Sequence, residues 1–229
     1  PACFEPALDY VVTKIPRFAF EKFPGTKDVL NTQMKSVGEV MGIGRTFKES
    51  LHKAILSLEG SPLGFAPVIL DEERVAHPNS KRIFHLAQAL REGATVDELV
   101  ALTQIHPWFL EQLEQIIREE TKIKNAAEMD HKTLLSAKRQ GYSDAAIASL
   151  RAVDEKDIRL RRKKLGIIPA YFRVDTCAGE FASETPYFYS TYWGRPEDFI
   201  SPATKPVIAL IGSGPNRIGQ GVEFDYSCV

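Results

Sequence analysis

Between residues 80 and 166 apolar side chains recur at helical spacing, and nearly every run is bracketed by a capping residue and a stop. This constrains the fold more than any other feature of the chain. Ile83, Leu86, Ala87 and Leu90 follow i, i+3, i+4, i+7, one apolar helix face, and Gly93 suits the position just past its end. Thr95-Val96-Asp97-Glu98 is a capping box. Pro107 suits a first helical position and is followed by Leu110, Leu113, Ile116, Ile117 and Ile123. Leu134 and Leu135 lie on a short helix that Gly141 ends. Ser143 or Asp144 caps the next, carrying Ile147 and Leu150. Asp154 caps the last, with Ile158 and Leu165 inward and Gly166 as its stop. The pattern predicts about six helices with short connections, packed as antiparallel neighbours.

The flanks read differently. Tyr10–Ile15 is β-branched and bounded by Pro16, which predicts a strand ending there. Met34–Gly44 carries three glycines in seven residues, Gly38, Gly42 and Gly44, unsuited to a helix interior and suited to a strand that a neighbour approaches closely. Thr46-Phe47-Lys48-Glu49 is a second capping-box pattern, and it opens a helix with Phe47, Leu51, Ala54, Ile55 and Leu58 on one face. Gly60, Pro62, Gly64, Pro67 and Pro78 mark a break over 60–79. Residues 167–205 hold no helical pattern but crowd in Tyr171, Phe172, Phe181, Tyr187, Phe188, Tyr189, Tyr192 and Trp193; this predicts an extended segment lying on the surface of a larger protein. Val207–Ile211 is a continuous apolar run of the kind found in buried parallel strands, and the glycine loop Gly212–Gly221 follows it.

Composition is that of an ordinary globular chain, with 44% hydrophobic residues. Its 29 basic and 30 acidic residues leave a formal charge of -1, so no general field favours nucleic acid or an anionic membrane. Cys3, Cys177 and Cys228 are sparse and odd in number, which argues against a disulfide framework and for a reducing, cytoplasmic setting. No apolar run is long enough to span a bilayer. The start, Pro1-Ala2-Cys3-Phe4-Glu5, has neither a signal-peptide pattern nor an initiator Met, and the chain stops where a helix should be under way, so we expect a piece of a longer polypeptide.

Three features could carry chemistry. A parallel strand running into Gly212, Gly214, Asn216 and Gly219 can bring backbone N–H groups to an anion. Arg217 stands where a dinucleotide fingerprint needs its third glycine, which weighs against NAD or FAD; a ligand-free tight turn and a loop facing a substrate or intermediate stay open. Gly38-Glu39 and Val222-Glu223 place carboxylates beside glycines, either lining a polar passage or standing as surface acids. Arg159, Arg161, Arg162, Lys163 and Lys164 could bind phosphates or merely complement a helix dipole. The five histidines, His52, His77, His85, His106 and His131, make no zinc pattern.

Four stretches resemble the large subunits of carbamoyl-phosphate synthases: Val12–Phe18; Gln33–Met41 with Ile43–Thr46; Arg173–Ala178 with Glu180–Ala182 and Tyr189–Tyr192; and Gly214–Gly221 with Glu223–Tyr226. The resemblance covers almost the whole chain and is weakest over 60–166. It implies a mainly α fold: a central helical oligomerisation domain over 60–199, connector included, between the end of a carboxyphosphate ATP-grasp domain at 1–59 and the first strand and loop of the α/β carbamoyl-phosphate domain from 200 to 229. It implies an ATP-dependent ligase that joins bicarbonate, glutamine-derived ammonia and two ATP, using Mg²⁺ or Mn²⁺ with ATP in the full-length enzyme. The segment itself would hold no catalytic residue, metal or cofactor. Implied partners are a glutamine amidotransferase small subunit and further copies through the helical domain. By the same resemblance Glu39, Arg217, Gly221 and Glu223 line the later part of an internal tunnel. Gly212-Ser213-Gly214 departs from the three consecutive glycines frequent in the family. The alternative reading is a stand-alone helical module that binds protein or nucleic acid.

Overall fold

The computed structural model describes residues 9–22, 24–58, 63–174, 185, 187–195, 206 and 208, and the backbone of 216–217. These residues are mainly α, with a small antiparallel sheet and a separate antiparallel hairpin against the helices. The sheet begins with β1 (Val11–Phe18) and β2 (Ser36–Gly44), in register from Val11 opposite Gly44 to Phe18 opposite Ser36. Contrary to the sequence expectation, β1 does not stop at Pro16 but runs through it. The reason is topological: β1 is an edge strand, where a missing N–H need not interrupt a ladder.

The close approach expected of the glycine-rich strand is present. β2 lies against α1 (Phe47–Ser57), and a Cβ at position 42 would fall 2.6 Å from Ala54 N and nearer still to the Ser50 carbonyl oxygen. Gly44 is similarly tight against Glu49 and Ser50. Beside this contact Thr13 on β1 shares a 2.7 Å hydrogen bond with Ser50 on α1.

The break over 60–79 conceals one element that the sequence reading missed, α2 (Glu72–Ala76). Asp71 caps it by accepting from Arg74 N, but five residues between prolines leave no room for an apolar period. The six predicted helices follow as α3 (Arg82–Arg91), α4 (Val96–Thr103), α5 (Pro107–Asn125), α6 (His131–Arg139), α7 (Asp144–Arg151) and α8 (Glu155–Lys164). Thr95 and Glu98 close a complete capping box, and the cap before α7 is Ser143 rather than Asp144. Gly93, Gly141 and Gly166, predicted as stops, all take positive φ. At Gly141 the need is twofold, because φ is +96° and a Cβ would lie 2.8 Å from His52 Cβ. The α4 and α7 ends carry no such signal: Gln104 and Ala152 adopt left-handed backbone there, at about 1 kcal/mol each.

One apolar core runs from Leu51 and Ile55 of α1 through Leu86 and Leu90 of α3 to Leu110, Leu113 and Ile116 of α5, Leu134 of α6 and Ile147 of α7. It therefore crosses residue 59. Arg91 grips Glu120 through two hydrogen bonds of 2.8 and 2.7 Å, a bidentate clasp between α3 and α5. The Tyr142 hydroxyl donates to the Ile116 carbonyl at 2.6 Å. His52 is buried against Phe65 and Tyr142, with Nδ1 on the Gln140 carbonyl at 2.7 Å.

Among its described residues the aromatic segment holds no helix, and part of it packs on this chain rather than on a separate surface. β3 (Ala170–Arg173) and β4 (Phe188–Thr191) pair antiparallel, and Ala170, Tyr189 and Thr191 are buried. Lys138 and Arg162 stand over the Tyr192 ring, and Arg139 over Trp193. Aromatic faces suit cations, so the helical body receives the segment through its basic side chains. Of Val207–Ile211, read as a buried strand, only Ile208 is described, and the rest of that run lies outside the described residues.

Two predictions follow from the packing. Gly42→Ala should cost at least about 3 kcal/mol in urea unfolding, because backbone rather than a flexible side-chain tip meets the new methyl. Burial pushes the His52 pKa from 6.5 down to about 4, with the Lys138 charge adding to it against the hydrogen bond to Gln140. The folded state thus prefers neutral His52, and stability falls as pH drops from 6.5 toward 4, by about 3 kcal/mol. His52→Phe should flatten that segment of the unfolding free energy against pH; an unchanged slope contradicts the assignment.

Candidate functional site

β2 is the middle strand of its sheet, and its other edge receives β5 (Asn216–Arg217). The register sets Gly38 opposite Arg217 and Glu39 opposite Asn216. Of the residues singled out in the sequence, the structure therefore brings together Glu39, Asn216 and Arg217 along the backbone. Gly212, Gly214, Gly219, Gly221 and Glu223 lie outside the described residues. Glu39 itself is exposed and forms an ion pair with Lys14 across the strands.

The most buried carboxylate among the described residues reads in the sequence only as part of a helix cap. Glu49 is 1% exposed. Its Oε2 accepts from Arg45 N–H at 2.8 Å and from the Thr191 hydroxyl at 3.0 Å. Oε1 lacks a well-angled hydrogen bond and is held by the Lys53 ammonium at 3.1 Å. Lys53 in turn donates to the Ile43 carbonyl at 2.7 Å and to the Ser190 carbonyl. Lys53 thus meets groups from β2, α1 and β4 through two hydrogen bonds and one ion pair. The expected capping box at Thr46 is only half made. Thr46 accepts from Glu49 N at 3.2 Å, but the Glu49 carboxylate, drawn inward by Thr191 and Lys53, reaches Arg45 N instead of Thr46 N. The arrangement joins the strand bearing Glu39 to the hairpin through one helix. Arg45 extends it, pairing with Asp9, reaching the Tyr189 hydroxyl and standing over the Phe172 ring. From sequence, Glu49 was legible as a cap; that Thr191, far away in the chain, would bury it was not.

A second buried cluster fixes the α6–α8 corner. Lys138 donates to Asp144 at 2.9 Å and to the Tyr142 carbonyl at 2.7 Å, and Arg162 meets Asp144 at 3.1 Å. Burial alone would raise the Asp144 pKa, but the two cations outweigh it and hold it lowered. Arg162 of the basic α8 is spent here, Arg161 pairs with Glu128 and Arg159 with Glu155. Among the described residues no three His, Cys, Asp or Glu side chains converge so as to hold a metal ion, and no helix is long and apolar enough to cross a membrane.

Comparison with known proteins bears on this architecture. Residues 39–166 match the family described as the carbamoyl-phosphate synthetase large chain, oligomerisation domain. Residues 204–229 match the carbamoyl phosphate synthase preATP-grasp domain. Over its full length the chain is 49% identical to the carbamoyl phosphate synthase large chain of Pseudomonas aeruginosa, 51% to that of Halomonas eurihalina and 52% to that of Deinococcus radiodurans. It spans only 22% of the first two and 23% of the third. The first match begins inside β2 and takes in α1 and the Glu49 cluster except Thr191 and Ser190.

Glu49→Gln, which keeps the shape and removes the charge facing Lys53, should lower the urea-unfolding free energy by about 3 kcal/mol. Glu39→Gln, which removes an exposed pair, should change it by less than about 1 kcal/mol. Equal effects of the two substitutions would contradict the ranking.

Proposed function

Since the chain belongs to the family of carbamoyl-phosphate synthetase large-chain oligomerisation domains, we propose that it is the linking and self-associating segment of a glutamine-dependent carbamoyl-phosphate synthase large subunit. The observation that carries this reading is the full-length match, at about half identity, to large chains of which it spans a fifth to a quarter. In this reading residues 1–59 close a carboxyphosphate ATP-grasp domain while α1 also enters the core of the helical domain, which 60–199 form with its connector, and 200–229 open the carbamoyl-phosphate domain. The whole protein would be cytoplasmic, would join bicarbonate, ammonia released from glutamine and two ATP, and would work with a glutamine amidotransferase small subunit. Mg²⁺ or Mn²⁺ would accompany ATP in the full-length protein.

We read Glu39, Arg217, Gly221 and Glu223 as tunnel-lining; for Glu39 and Arg217 this gains support from β2–β5 pairing, which sets Glu39 and Gly38 against Asn216 and Arg217. Glycine keeps a passage open, and fixed polar groups can replace bulk water around a small unstable anion. The contribution of the segment is otherwise mechanical. The apolar core stiffens the helices, and the Glu49 cluster ties the strand that would face the passage to the hairpin that leads toward residue 200.

Residues 1–229, expressed alone, should form no carbamoyl phosphate from bicarbonate, ammonia and ATP, while the longer protein does. They should sediment as a concentration-dependent oligomer. Carbamoyl phosphate from the segment alone, or a monomer at every concentration, would overturn the corresponding part of the proposal.

A further inference from the structure

A cavity of about 480 Å³ opens between the first turn of α1, helix α6 and the turn after β4. Three cations line it, Lys48, Lys132 and Arg139, together with the His131 imidazole, the Ser136 hydroxyl and the Trp193 indole, and no carboxylate is part of its wall. In a chain of net charge -1 this is a local concentration of one sign. None of the three makes an ion pair among the described residues, whereas Lys138 on the same helix α6 and Lys122, Arg161 and Arg162 on neighbouring helices each meet a carboxylate. Lys48 donates to the neutral Gln115 amide oxygen at 2.8 Å, and Arg139 to the Tyr192 carbonyl at 3.2 Å while standing over Trp193.

The nearest acids are already engaged. Glu119 accepts from Ser136 at 2.8 Å and pairs with Lys122, and Asp130 caps Thr133 N–H at 2.8 Å. Lys48 and Lys132 also stand in the first turns of their helices, where the dipole adds to their charge instead of offsetting it. Partial burial pushes the Lys48 pKa down, and Lys122 adds to this against Glu119. A resident anion would relieve each of these costs.

We propose that this cavity binds a phosphate dianion, free or as the head of a small monoester, between Lys48, Lys132 and Arg139. Guanidinium and ammonium groups are the donors that phosphate oxygens recruit, and the volume leaves room for a small organic body beside Trp193. The inference stands apart from the ligase reading.

The test is titration of the purified protein with inorganic phosphate, and separately with glycerol phosphate, at constant ionic strength, followed by tryptophan fluorescence and thermal midpoint. Saturable binding is expected, weakened at least tenfold in both Lys132→Glu and Lys48→Gln, with circular dichroism confirming that each variant is folded. Tighter binding of the ester supports a metabolite as the natural source, and equal or weaker binding supports free phosphate. A response no larger than that to chloride, or one unchanged in both variants, overturns the site. So does an acidic peptide that binds where neither phosphate compound does, since that would mark a protein-docking surface.

Discussion

The structure depends first on how closely α1 approaches β2. Gly42 and Gly44 let helix backbone and strand backbone meet with no side chain between them. That closeness brings Glu49 below the surface, and a buried carboxylate must be matched or the fold gives way. It is matched from three directions: an N–H at the end of β2, the Lys53 ammonium one turn along α1, and a hydroxyl from β4. Removing the glycines would push the helix out, and the hairpin would lose the acceptor that holds Thr191.

The rest follows from α1 having other faces to offer. Leu51 and Ile55 enter the core shared with α3, α5, α6 and α7, and His52 meets the turn at Gly141. A single helix thus belongs to the sheet, the helical body and the hairpin at once. The family match beginning within β2 agrees with this, since the helices without α1 would lack one wall of their core.

Much of this was legible in the residues. The six helices after residue 80 carried both a period and punctuation, because capping groups and glycine stops are local and need no tertiary partner. The glycines of β2 announced a close approach without naming the neighbour. What was missed has a shared cause, dependence on distant residues. Pro16 looks like a strand end unless β1 is known to be an edge. Gln104 and Ala152 end helices without glycine, and Glu49 looks like a cap until Thr191 arrives from the far side of the helical body. The basic side chains of α8 read as a possible binding face until their acidic partners on other elements are seen. Of the candidate passage, only Glu39 and its backbone neighbours Asn216 and Arg217 could be placed.

The central claim is that α1 and the helices beyond residue 63 form one cooperative body. Native-state hydrogen exchange of the backbone amides, followed through increasing denaturant, tests it most directly. The buried amides of α1, α3, α5 and α7 should converge on one opening free energy and one denaturant dependence. Exchange of α1 together with β2 through a separate, lower-energy opening, while α3, α5 and α7 stay protected, would contradict the account.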